Sequence, residues 1–105
     1  MSNRWGTTKE VEEFVKKRDA NCVYCGVEFV SNQASAKLSP SWEHIINDIR
    51  LNNSDNIALC CRSCNASKGA KTLEDWLKSS YCKNKNIHQD NVAMVVRKNL
   101  EKLPN

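Results

Sequence analysis

Apolar positions recur along this chain at two different spacings, and the switch between them divides it into segments. Val11, Phe14 and Val15 fall at helical intervals, with Glu12, Glu13, Lys16 and Lys17 outside the stripe. That pattern predicts a helix over about 7–18 whose Phe14 stripe faces a core. Thr7 reads as its N-cap, with Glu10 three residues on completing a capping box. Lys16-Lys17-Arg18 at its end reads as a solvated terminus or a phosphate contact. From Val27 to Ser41 the chain is polar and Ser/Asn-rich, a loop with at most a brief strand at Glu28–Val30. Ser41 to Ile46 and Ile57 to Cys60 then read as two strands around the turn-rich Leu51–Asn56. Arg62 to Lys68 reads as a short helix stopped by Gly69. Thr72 caps a further helix, over about 72–80, that buries Leu73, Trp76 and Leu77. Lys83-Asn84-Lys85-Asn86 reads as a basic linker. A last helix over about 90–103 carries Val92, Val95, Val96, Leu100 and Leu103 on one side, a stripe suited to a core and, in part, to a homodimer.

Helices around one hairpin predict an α+β fold, and 105 residues predict one domain, 1–105. Hydrophobic residues make up 40% of the chain, which separates it from disordered sequences. No apolar run approaches the ~20 residues of a membrane span. The N-terminal Met1-Ser2-Asn3-Arg4-Trp5-Gly6 lacks the apolar stretch of a secretory signal. A cytoplasmic protein without membrane partners is the expectation.

In a reducing compartment six cysteines argue for metal ligation rather than disulfides. Cys22-x-x-Cys25 and Cys61-x-x-Cys64 are two knuckle-like pairs, each able to turn two sulfurs toward one ion, with Gly26 relieving the turn after the first. One pair is a weak signal; two in so short a chain are a strong one. Cys60 and Cys82 read as small buried hydrophobes. Zinc on four thiolates takes two charges from the formal +4, leaving about +2, too little to argue nucleic-acid binding from charge alone.

The 35 residues between the pairs exceed a zinc-ribbon spacing, and they carry the candidate chemistry. Phosphodiester hydrolysis needs an activated water and a cation to stabilise the pentacovalent phosphate. His44 offers a base near neutral pH. Glu43 and Asn65 offer the oxygen ligands a hard divalent cation takes. Adjacent strand residues face opposite ways, so Glu43 and His44 converge only if the strand twists or ends there.

The order Glu43-His44, Asn56, Cys61-x-x-Cys64-Asn65 resembles the HNH nucleases, a ββα-metal fold, in the subgroup braced by two Cys-x-x-Cys pairs. The resemblance covers about half the chain and implies a zinc-braced finger at about 19–71. It implies a metal-dependent endonuclease acting on DNA and leaving 5′-phosphate and 3′-hydroxyl ends. His44 would be the general base, and Asn56 would tie down the loop that holds it. Glu43 and Asn65 would bind Mg²⁺ or another divalent cation, while Cys22, Cys25, Cys61 and Cys64 hold a structural zinc. Arg62, Lys68 and Lys71 are the candidate DNA contacts, with solvated lysine as the plain alternative for the last two. Two departures bear on loop geometry: Glu43 replaces a commoner aspartate, and Asn47 stands where many members have proline.

Plainer readings exist for each residue. His44 suits a hydrogen-bonded core histidine, Asn56 an Asx turn, and Asn65 a helix cap. Trp42 and Trp76 read as core, and His88 has no assigned role. The rival function is a non-catalytic, zinc-stapled nucleic-acid-binding module.

Overall fold

Ile57 and Leu59 point to one side of their strand, Ala58 and Cys60 to the other, as the two-residue period of a strand requires. Both sides are covered, so β2 (Ile57–Cys61) is buried from end to end. A computed structural model describes residues 7–30, 35–48 and 50–102. In it β2 pairs antiparallel with β1 (Pro40–His44), Trp42 opposite Leu59 and Glu43 opposite Ala58. The helices are α1 (Lys9–Arg18), α2 (Arg62–Lys68), α3 (Leu73–Leu77), α4 (Ser80–Lys85) and α5 (Met94–Lys102). The fold is α+β: a two-stranded antiparallel sheet with several helices packed about it. No described helix is long and apolar enough to cross a membrane.

Each face of the hairpin has its own core. Trp42, Ile57 and Leu59 pack with Val15 beneath α1. On the other face Ala58 and Cys60 join a larger cluster that includes Tyr24, Ile45, Trp76, Val92 and Val96. Trp76 is fully buried, edge-on to Tyr24 with ring centroids 4.7 Å apart, and its indole N–H donates to Ser67 Oγ at 2.9 Å. The sequence's expectation for both tryptophans holds.

The stripe on α1 is narrower than expected. Val15 is fully buried but Phe14 is 53% exposed, with the Arg18 guanidinium 5.6 Å from its ring centroid. One residue is about 100° of helix rotation, and a sheet of two strands spaced ~4.8 Å apart is too narrow to cover both positions. The cap is Thr8 rather than Thr7, its hydroxyl accepting from Val11 N.

Other boundaries shift too. β1 begins at Pro40 and ends at His44, not Ile46. The strand expected at Glu28–Val30 is reduced to a single bridge, Asn21 to Glu28. Lys83–Lys85, expected in a linker, belongs to α4. That helix is capped by Ser79, buries Cys82, and ends at Asn86 in the left-handed region (φ 58°). One buried residue among lysines leaves no periodic apolar signal to read. α5 starts at Met94 rather than near Asp90, because Ala93 N donates instead to Val23 O in the first knuckle. Val92 and Val96 are buried as expected; Leu103 lies outside the described residues.

Candidate functional site

Each cysteine pair is shaped by its own backbone. After Cys22 the chain turns, Gly26 N donating to Cys22 O at 3.0 Å, and Gly26 takes a φ of 82°, where a side chain is strained. Cys25 N donates to Cys22 Sγ at 3.5 Å. The second pair straddles the strand–helix junction: Cys61 is the N-cap of α2, its sulfur accepting from Cys64 N at 3.4 Å. The β2–α2 turn and the first knuckle thus bring all four sulfurs within 4.8 Å of one another. The Cys25 and Cys61 sulfurs are 3.8 Å apart. Tetrahedral zinc with Zn–S bonds of ~2.3 Å places its sulfurs about 3.8 Å apart. The four cysteines therefore fit a structural metal such as zinc.

Their proton chemistry points the same way. The bond from Cys22, then those from Cys61 and Cys64, hold Cys25 well below the ordinary thiol range. Cys61 and Cys64 are pushed up, first by Cys22 and then by Cys25. Four thiolates cannot share this space without a cation to offset them. Tyr81, from α4, donates its hydroxyl to Cys64 Sγ at 3.3 Å and lies 2.9 Å from Ser63 Oγ. Cys60 stays apart, its thiol pushed up by burial and next by the Glu43 charge.

His44 is the last residue of β1 and is 5% exposed. Its Nε2 lies 2.7 Å from Asn52 Oδ1, a contact that assigns the proton to Nε2 when the amide oxygen faces it. The loop between the strands is closed by Asn56. Its Oδ1 accepts from Ile46 N at 2.7 Å, and its Nδ2 donates to Ile46 O at 3.0 Å and Leu51 O at 3.1 Å. A buried primary amide thus satisfies three backbone groups at once, and the loop behind His44 is fixed from inside. Within it Arg50 pairs with Asp48 at 2.8 Å and, as the main cause, holds that carboxyl down to about 2; the nearby His44 adds a smaller effect.

Glu43 faces the other way. Register places it opposite Ala58, on the α2 side, whereas His44 lies opposite Ile57, on the α1 side. Its Oε2 accepts from Tyr24 Oη at 2.8 Å and pairs with Lys68 Nζ at 2.9 Å. Lys68 is 1% exposed and also donates to His44 O at 3.3 Å. It is no surface lysine. Burial, then the Glu43 charge, raises Tyr24 well above the ordinary phenol range, so its hydroxyl keeps its proton and stays a donor. With one oxygen engaged by both a hydroxyl and an ammonium, this carboxylate as arranged does not fit a divalent cation.

Asn65 reaches β1 from α2, its Nδ2 donating to Ser41 Oγ at 3.0 Å and Trp42 O at 3.2 Å. Asn65 and Lys68 thus both reach β1 from α2, Asn65 at Ser41 and Trp42 and Lys68 at Glu43, while His44 faces the α1 side. Of the other cationic candidates, Arg62 is exposed beside Lys37, Ser63 and Ala66, and Lys71 donates to Ser67 O at 3.2 Å.

Contacts of four residues at this loop and along β2 were not expected from sequence. Asn52 meets His44. From α1, Arg18 donates to Ser54 O at 2.6 Å and Ile57 O at 2.8 Å, while Asp19 Oδ2 accepts from Leu59 N at 3.0 Å. From α5, Asn99 Nδ2 donates to Asp55 O at 2.7 Å. Asn99 alone carried a signal: it is an amide three residues after Val96 on an apolar stripe, and a polar residue there needs a partner. Nothing in the sequence distinguishes the others from ordinary turn and helix-end residues.

No family model, curated protein or solved structure shows a match to this chain.

Proposed function

We propose that the protein is an HNH-type endonuclease that hydrolyses DNA phosphodiester bonds with His44 as general base. One observation carries the reading: a buried imidazole ends a strand in a loop whose backbone is closed by Asn56. Supporting a histidine loop is the role the resemblance assigns to that residue. In this reading His44 takes a proton from water through its imidazole, whose ring Asn52 holds at Nε2. Cys22, Cys25, Cys61 and Cys64 would hold a structural zinc that ties the first knuckle to the start of α2, the helix from which Asn65 reaches β1. The same reading takes Mg²⁺ or a similar cation at Glu43 and Asn65, where it would offset charge on the phosphate. Lys68 stands in the way of that part.

That pairing favours a second reading, a zinc-stapled nucleic-acid-binding module without catalysis. The two separate on supercoiled plasmid incubated with wild type and His44→Ala, each with Mg²⁺, Mn²⁺ or EDTA. Nicked or linear product that requires both a metal and His44 supports the nuclease. Equal cutting by a folded, zinc-loaded His44→Ala protein sinks the assignment of His44. Salt-sensitive binding with no cutting by either protein selects the module.

A further inference from the structure

We propose that Tyr81 tunes the four-cysteine metal centre: its hydroxyl, backed by Ser63, hydrogen-bonds the Cys64 thiolate and so sets how strongly that sulfur donates to the metal. The role rests on Cys22, Cys25, Cys61 and Cys64 holding a metal such as zinc. It adds to that centre a positioning residue from outside the finger.

The sulfurs are supported in two different ways. Cys22 Sγ accepts from Cys25 N at 3.5 Å and Cys61 Sγ from Cys64 N at 3.4 Å, bonds that each knuckle's own turn supplies. Cys64 Sγ accepts instead from a side chain, Tyr81 Oη at 3.3 Å, which α4 brings in from 17 residues along the chain. Cys64 is fully buried, so water does not compete with that donor. A metal-bound cysteine carries no proton, and the tyrosine proton therefore points to sulfur. The phenol oxygen is left to accept from Ser63 Oγ, 2.9 Å away. The three residues form a relay running from Ser63 through Tyr81 to Cys64.

The tyrosine ring is held independently of its hydroxyl. It lies tilted against Trp76, ring centroids 6.0 Å apart and planes at 30°, and the Lys85 ammonium is 5.4 Å from its centroid. The oxygen can be removed with both of these contacts kept. What changes is the sulfur. A hydrogen bond draws charge from a thiolate, offsetting part of the negative charge that four of them leave around a divalent ion.

The test compares wild type with Tyr81→Phe, Ser63→Ala and the double variant, each loaded with Co²⁺ or with zinc. Co²⁺ reports the sulfurs through its thiolate-to-metal charge-transfer band in the near ultraviolet. Zinc affinity is read by competition with a chromogenic chelator. Tyr81→Phe is expected to move the band to longer wavelength, because an unbonded thiolate gives up its electrons more easily, and to weaken zinc binding about tenfold. Ser63→Ala should shift both in the same direction by less, and should add nothing in the Tyr81→Phe background.

An unmoved band in Tyr81→Phe overturns the proposal even if zinc binds more weakly, since the hydroxyl would then serve packing alone. Independent, additive effects of the two substitutions overturn the relay. Wild type that shows no thiolate-to-cobalt band overturns the four-cysteine metal centre itself, a result distinct from a failure at Tyr81.

Discussion

Asn56 grips the backbone of Ile46 from both sides, accepting from its N–H at 2.7 Å and donating to its carbonyl at 3.0 Å. Two residues ten apart are thereby locked as if in a strand pair, although no strand runs through Ile46. The chain after His44 is thereby tied to the start of β2, and a substitution at Asn56 should act there before anything else.

Asn56→Ala is expected to destabilise the fold by about 1–3 kcal/mol, because it leaves three partly buried backbone groups without their partner rather than losing one contact. Urea denaturation gives the magnitude. Hydrogen exchange locates it: protection at the Ile46 amide should fall most, and an unchanged rate there would contradict the clamp.

Asn99→Ala should loosen the same loop from outside. Losing the bond to Asp55 O costs about 1 kcal/mol. Faster exchange should appear across residues 52–57 as well as in α5. Faster exchange in α5 alone would show that the helix end does not support the loop.

The two neighbours on α1 should separate cleanly. Val15→Ala, at a fully buried site, is expected to cost about 1–3 kcal/mol. Phe14→Ala removes a larger side chain but one already 53% exposed, and should cost under about 1 kcal/mol. Equal losses in thermal unfolding would mean that Phe14 is covered after all.

Metal content should follow pH. The Cys25 bond works upward on Cys22, but those from Cys61 and Cys64 outweigh it and leave Cys22 at about 6, below an ordinary thiol. Metal binds the thiolates, so its stabilisation is complete above the ordinary thiol range and is lost as pH falls and protons compete for sulfur. A chromogenic chelator should find one zinc per chain at pH 8 and its release as the solution is acidified, with loss of near-ultraviolet dichroism in step. Retention of the dichroic signal after full release would show that zinc is not what holds the fold.

The buried pair should be asymmetric. Lys68→Met alone leaves Glu43 unpaired and is expected to cost about 3–5 kcal/mol, whereas Glu43→Gln/Lys68→Met removes both charges and should recover most of that. Equal destabilisation of single and double variants would argue against an ion pair.

The local parts of this protein were readable from the chain. The hairpin, the short helix after it and the Gly69 stop lie within a residue or two of their expected places outside the β1 end, because period-two and period-3.6 burial leave direct marks. The four-cysteine cluster was legible as well, since two residues of spacing are all that a knuckle needs. α4 was not, because a helix that buries one cysteine among lysines has no apolar period, and Phe14 failed because a sequence stripe does not reveal how wide a surface awaits it.

What the sequence by itself determined is the inventory: four thiols in two pairs, an acid beside a histidine, and asparagines at the turn and on the helix. These depend on neighbours two to four residues away, and such distances are set by backbone geometry alone. Only the tertiary structure decided who meets whom. Glu43 and His44, adjacent in the chain, are sent to opposite faces by the strand's pleat. Lys68, expected at the surface, is drawn inside because an unpaired carboxylate under α2 would be costly without it. Arg18 and Asn99 arrive at the histidine loop from the two flanking helices, 36 and 44 residues away from the carbonyls they hold. Contacts of that separation follow from how cores are filled on both faces of a two-stranded sheet, which no local pattern encodes.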